Sequence, residues 1–93
     1  MTYAVVSVHS PHPEHREAVI DSMQRYSRVA RSQAGLVWTG VVDDSGGRLV
    51  GVAVWESADA AKAASPALMS EVGDDPFTTW DERPIDSLRG AVV

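Results

Sequence analysis

The first residues of the chain alternate. Tyr3, Val5, Ser7 and His9 fall on one side of an extended segment and Ala4, Val6 and Val8 on the other, a period of two that predicts a strand over residues 2–9. Ser10-Pro11-His12-Pro13 interrupts it, because proline has no N–H to donate to a ladder and biases the preceding residue towards extended geometry. Pro13, Glu14 and Glu17 mark a helix start, where proline is tolerated and acids complement the dipole. From Glu14 to about Gln33, Val19, Met23, Tyr26 and Ala30 recur at spacings of four, three and four, and Ile20 widens the stripe. That pattern predicts one amphipathic helix, with Gly35 as its stop.

Two β-rich runs follow, Leu36 to Val42 and Arg48 to Trp55, joined by the turn-forming Asp43-Asp44-Ser45-Gly46-Gly47, which predicts an antiparallel hairpin. Ser57 caps a second helix through Ala58, Ala60, Ala61 and Ala64, expected to break at Ser65-Pro66 and resume as a short turn through Leu68, Met69 and Val72. Gly73-Asp74-Asp75-Pro76 ends it. Phe77 and Trp80 fall in a loop-like acidic stretch, and Ile85 to Val92 predict a last strand, interrupted in pattern by Pro84 and Gly90. The order βαββαβ predicts an α+β fold of ferredoxin-like topology, a single domain over residues 1–93 with an antiparallel sheet and both helices on one face.

The hairpin is apolar on both sides: Leu36, Trp38, Gly40 and Val42 alternate with Val37, Thr39 and Val41, and Val50, Val52 and Val54 with Leu49, Gly51, Ala53 and Trp55. Two helices cover one face of a sheet. The other would leave an apolar patch larger than monomers tolerate, so a second copy is expected to pack across it as a homodimer, a dimeric α+β barrel. A chain of 93 residues buries only about 60 to 65% of the surface its unfolded form exposes, which makes its core marginal and adds to the need for a partner.

Composition narrows the function classes. With 44% hydrophobic and 23% charged residues the chain is an ordinary globular one, and with no cysteine it has neither a disulfide framework nor a thiolate metal site. No signal peptide and no membrane span is read at the N-terminus, so a cytoplasmic protein is expected. A net charge of −5 argues against nucleic acid, since Arg16, Arg25, Arg28 and Arg31 are interleaved with Glu14, Glu17 and Asp21 rather than clustered. The arginine stripe reads as a solvated helix face.

His9, His12 and His15 recur every third residue, but the prolines between them work against convergence, and no metal site is expected. His9 is separate. Sharing a face with Tyr3 and Ser7, it is a candidate general base, because imidazole changes its charge near neutral pH; His9 and Ser7 are the candidate catalytic residues. Trp38 and Trp55 have the parity of Leu36 and Leu49 and are expected to crowd one face of the hairpin as core or as a stacking wall; with Tyr26 and Tyr3 they are the candidate substrate-binding residues. Asp74, Asp75, Asp81, Glu82 and Asp86 lack the spacing of a calcium loop and read as a solvated segment.

The order of elements, the Ala34-Gly35-Leu36 step, and Val54-Trp55-Glu56-Ser57 before an alanine-rich helix resemble the antibiotic biosynthesis monooxygenase family of dimeric α+β barrels, over Tyr3 to about Met69. The family includes cofactor-independent oxygenases of aromatic polyketides and quinols, haem degraders, and members without an assigned activity. Its haem degraders carry an asparagine on the first strand, a tryptophan in the second helix and an iron-binding histidine after it. The corresponding positions here lie near Ser7, Ala64 and Glu71, and no histidine follows His15, so haem degradation by that route is not expected. What the resemblance implies is a monooxygenase of a small aromatic or quinol-type molecule that uses no cofactor. The alternative is a non-catalytic protein of the same fold that binds a small ligand.

Overall fold

A computed structural model describes residues 1–93. In chain order it contains β1 (Tyr3–His9), a 3-10 turn at Pro13–His15, α1 (Arg16–Arg31), β2 (Leu36–Asp43), β3 (Leu49–Trp55), α2 (Ala58–Val72), α3 (Phe77–Trp80) and β4 (Asp86–Ala91). The four strands form one antiparallel sheet in the order β2-β3-β1-β4. This is the ferredoxin-like α+β fold expected from the order of elements.

Local chemistry sets the element ends. The Ser57 hydroxyl accepts from the Ala60 N–H at 3.0 Å and so caps α2. Gly35 has φ +86°, the left-handed region open to glycine, and its carbonyl accepts from the Glu56 N–H at 2.7 Å. A Cβ at Gly35 would lie 2.7 Å from the Ala60 side chain, so glycine also permits the close approach of α2 to the start of β2.

Two elements differ from the sequence reading. α2 does not break at Ser65-Pro66 but runs on through Pro66. Ala64, Leu68 and Val72, at spacings of four, bury one continuous side across that point, whereas Pro66 sits on the exposed side. The packing outweighs the backbone hydrogen bond that proline forfeits. Phe77–Trp80 is not a loop either, since the Trp80 N–H donates to the Pro76 carbonyl at 3.1 Å and the Asp81 N–H to that of Phe77 at 2.8 Å.

A third difference decides which residues share a face. Leu36 stands opposite Trp55, but Trp38 stands opposite Val54, because a bulge between Leu36 and Trp38 inserts one residue into β2. The bulge reverses the parity of the rest of the strand. Trp38 therefore does not crowd the same face as Trp55: Trp55 is 1% exposed beneath the helices, and Trp38 is 53% exposed on the opposite face. There the indole lies over Gly40, where an added Cβ would come within 2.8 Å of its ring.

The helix-covered face holds two core clusters. One gathers Ala30, Ala53, Ala64 and Leu68 around Trp55; the other joins Val19, Met23 and Leu49. The opposite face carries Ala4, Val6 and Val8 of β1, Val50, Val52 and Val54 of β3, Trp38 and Val42 of β2, and Leu88 of β4, and no helix packs on it. No helix of the chain is long and apolar enough to cross a membrane.

Candidate active site

The site begins where β1 ends. His9 pairs with Leu49 across the sheet and turns its ring to the helix side, where it is 5% exposed. Just beyond it, residues 10–12 are tied to residues 80–82: the His12 N–H donates to the Trp80 carbonyl at 2.9 Å and the Glu82 N–H to the Ser10 carbonyl at 2.8 Å. Asp81 lies between those two bonds. Its carboxylate, 6% exposed, is placed with Oδ2 3.1 Å from His9 Nδ1.

A buried carboxylate on Nδ1 fixes the tautomer. With Nδ1–H donating to Asp81, the neutral form of the ring presents its lone pair at Nε2. Phe77 leans on the imidazole with ring centroids 5.2 Å apart and is held by Trp80 edge-on at 5.5 Å. The second Asp81 oxygen, Oδ1, is buried without a hydrogen-bond partner. A half-satisfied buried carboxylate is costly in stability, which is the kind of arrangement found where a group is kept for chemistry rather than packing.

His9 forms part of the wall of a cavity of about 220 Å³ between the covered sheet face and the helices, with Ser7, Tyr26, Met69, Phe77 and Arg89 also lining it. An apolar cavity of roughly 150 Å³ accepts benzene, so this space suits a substituted single ring. Gly51 lies beneath it, and a Cβ there would come within 2.9 Å of the Ser7 hydroxyl and 3.0 Å of the Met23 methyl. A second hollow of about 360 Å³ opens beside it along α2, lined by Tyr3, Trp55, Lys62 and Leu68; Val5, Tyr26, Met69 and Arg89 line both. A fused-ring ligand larger than the first cavity would extend into this space.

The polar groups of the cavity divide into committed and free. Ser22 donates to Asp75 at 2.6 Å, Ser27 and Thr39 share a hydrogen bond at 3.2 Å, and Thr39 also donates to the Val52 carbonyl at 3.0 Å. Ser7, Arg89 and the Tyr26 hydroxyl carry no such internal bond. Burial raises the Tyr26 phenol above its ordinary value and the positive charge of Arg89 opposes the rise, so Tyr26 is a protonated donor at neutral pH.

Of the residues singled out in the sequence, His9, Ser7 and Tyr26 meet in the main cavity, and Tyr3 and Trp55 join Tyr26 around the adjoining hollow. Trp38 belongs to neither, for the bulge carries it to the other side of the sheet. His9, His12 and His15 do not converge; His12 and His15 stack edge-on at 6.3 Å, and no three His, Cys, Asp or Glu side chains are grouped to hold a metal ion. Asp81, Phe77, Met69 and Arg89 were missed. Asp81 is buried rather than solvated because the pairing of residues 80–82 with residues 10–12 carries it against His9, and the apolar Phe77 and Trp80 just before it were the one local sign that this acid differs from its neighbours.

The family model for antibiotic biosynthesis monooxygenase matches residues 1–66. No curated protein sequence matches the chain. Among solved structures the chain is similar to Rv0793 from Mycobacterium tuberculosis, with 19% identity, a TM-score of 0.77, and coverage of 100% of this chain and 96% of that one. It is also similar to a conserved protein from Methanosarcina mazei Go1, with 11% identity, a TM-score of 0.84, and coverage of 97% and 91%. A third is a mutant of SnoaB, a cofactor-independent oxygenase from Streptomyces nogalater, with 16% identity, a TM-score of 0.78, and coverage of 98% and 92%. At these identities the likeness is one of fold.

Proposed function

The chain belongs to the antibiotic biosynthesis monooxygenase family, and from that premise we propose that it is a cofactor-independent monooxygenase of a small aromatic or quinol-type molecule held between sheet and helices. The observation that carries this reading is the buried His9–Asp81 pair in the wall of a largely apolar cavity. A base oriented by a carboxylate beside a largely apolar space is what proton abstraction from a weakly acidic aromatic requires.

His9 Nε2 takes a proton from an acidic C–H or O–H of the substrate, and the electron pair stays behind as a carbanion or its enolate. Asp81 stabilises the imidazolium that forms. The anion passes one electron to dioxygen, giving a substrate radical and superoxide. Their recombination makes a carbon–oxygen bond and a peroxide anion, which recovers the proton from the imidazolium. Where the carbon was a methylene, loss of water leaves a carbonyl, so that one methylene and one dioxygen become one carbonyl and one water, with every electron supplied by the substrate. Tyr26, protonated, is the donor to the developing oxyanion.

The test is oxygen uptake, measured with an electrode in the presence of a metal chelator, over a panel of substituted hydroquinones and anthrones. Uptake above the buffer rate is expected for at least one compound, and His9→Ala is expected to bring it back to the buffer rate. No uptake for any compound, with tryptophan emission unchanged on adding them, overturns the reading.

A second copy of the chain is the partner we propose for the uncovered sheet face. Support comes from its continuous apolar surface, in which Leu88 is 64% exposed. Sedimentation at micromolar concentration is expected to give a dimer; a stable folded monomer of 10.0 kDa contradicts it.

A further inference from the structure

Ser7 takes no part in the proton transfer at His9, yet it stands beside it. The two residues are two apart on β1, so their side chains leave the same face of the sheet about 7 Å from one another. Both line the main cavity. β1 is an inner strand between β3 and β4, and Ser7 stands opposite Gly51 on one side and Ser87 on the other. Gly51 has no side chain to fill its place in that row. The Ser7 hydroxyl and the Met23 methyl lean over it instead, 2.9 and 3.0 Å from where a Cβ would lie. Ser7 is half-buried there and Met23 is buried.

The other small hydroxyls of the cavity are accounted for. Ser22, Ser27 and Thr39 are bonded within the protein, and Ser87 is exposed to water on the edge strand. Ser7 has a strand on each side and a methyl group beside its hydroxyl, so a partner reaches it only through the cavity. A hydroxyl in apolar surroundings is stabilised by a hydrogen bond made there. We infer that Ser7 is a specificity-determining residue, whose hydroxyl binds a substrate oxygen lying across the ring from the group that faces His9. The inference rests on the cavity proposed above as the substrate site and narrows what it accepts. Because Ser7 and His9 are one strand period apart, the two contacts fall on opposite sides of a single ring. The pair therefore selects a ring whose acidic group and second oxygen stand opposite each other, as in para-hydroquinones and anthrones, over one in which they are adjacent. A serine hydroxyl both donates and accepts, so the second oxygen is equally a hydroxyl or a carbonyl.

The probes are hydroquinone, catechol and 4-methylphenol, which share a ring and one hydroxyl and differ in what stands opposite or beside it. Binding is measured by equilibrium dialysis under nitrogen, so that none is oxidised. The wild-type chain should bind hydroquinone about fivefold more tightly than 4-methylphenol, the worth of one ordinary hydrogen bond, and catechol no more tightly than 4-methylphenol. Ser7→Ala should bring hydroquinone down to the affinity of 4-methylphenol, with 4-methylphenol itself changed less than twofold. Gly51→Ala, whose Cβ displaces the hydroxyl from its place, should erase the same preference with the serine still present. Without ligand, Ser7→Ala should melt at or above the wild-type temperature, because it removes no internal hydrogen bond; a clear fall would assign Ser7 to the fold and overturn the inference. If 4-methylphenol binds but hydroquinone binds no better, or the preference survives either substitution, or catechol gains as hydroquinone does, the inference is wrong and the cavity stands. If none of the three binds, the cavity reading falls, and the inference with it.

Discussion

Residues 1–66 and residues 67–93 do different work in one small fold. The first region supplies β1, β2, β3, α1 and the first part of α2, every member of the two core clusters except Leu68, and the stretch matched by the family model. The second adds the edge strand β4 and the short α3, and from it come Met69, Phe77 and Arg89 of the cavity wall and the Asp81 that holds His9. The frame depends on many periodic apolar positions, each replaceable by another of similar size. The chemistry depends on a few side chains, each needed at one position. It follows that damage to the first region should be felt as lost stability and damage to the second as lost turnover with the fold intact.

Trp55→Ala should break the frame most severely. Removing a fully buried indole from a core of small alanines leaves a cavity that cannot collapse, and truncations of this kind cost about 3–5 kcal/mol. Urea denaturation followed by circular dichroism should show a variant largely unfolded near room temperature; a shift in midpoint worth under about 1 kcal/mol would mean that the second region stabilises the molecule more than its packing indicates.

Asp81→Asn tests the other half. The amide keeps the shape of the carboxylate but permits the wrong imidazole tautomer, so turnover of any substrate found by oxygen uptake should fall about 100-fold, equivalent to about 2.7 kcal/mol in the barrier. The melting curve should stay close to wild type. A variant that retains its activity but melts early would place Asp81 with the frame rather than with the chemistry.

Tyr26 belongs to both halves, and pH separates its contributions. Its folded pKa is raised by burial, so its contribution to stability is fully present below the ordinary phenol value near 10 and is lost as pH rises through the higher folded value. Melting temperatures across alkaline pH should therefore fall less steeply in Tyr26→Phe than in wild type. Parallel slopes would show that the phenol is not held in its protonated form by burial.

The smallest effect is expected at the surface. Arg16 donates to Asp43 at 2.7 Å, joining the start of α1 to the end of β2. Exposed pairs of this kind contribute about 0.2–1 kcal/mol, so Arg16→Ala should lower stability by no more than that and the loss should shrink further in high salt. A larger effect would reveal that this corner anchors the frame.

Each strand and helix of the first region was legible in the residues, from the valine alternation of β1 to the Val19, Met23, Tyr26 and Ala30 stripe of α1. Backbone geometry repeats every two residues in a strand and every 3.6 in a helix, so burial on one side writes itself locally into the chain. The order βαββαβ, and with it the ferredoxin-like sheet, follows from those periods and the turn residues between them. His9, Ser7 and Tyr26 were legible as candidates for the same reason, since their positions on a strand or helix decide which way they face. What the tertiary structure alone decided is where that local logic is interrupted or closed over a distance. A single extra residue at Val37 sent Trp38 to the far side of the sheet, burial on both flanks of Pro66 kept α2 whole, and two backbone hydrogen bonds between residues 10–12 and 80–82 brought Asp81 to His9 across 72 positions. No period of the chain encodes such a meeting, because it depends on strand register and on the path of the whole tail, and those are settled only when distant segments compete for the same buried space.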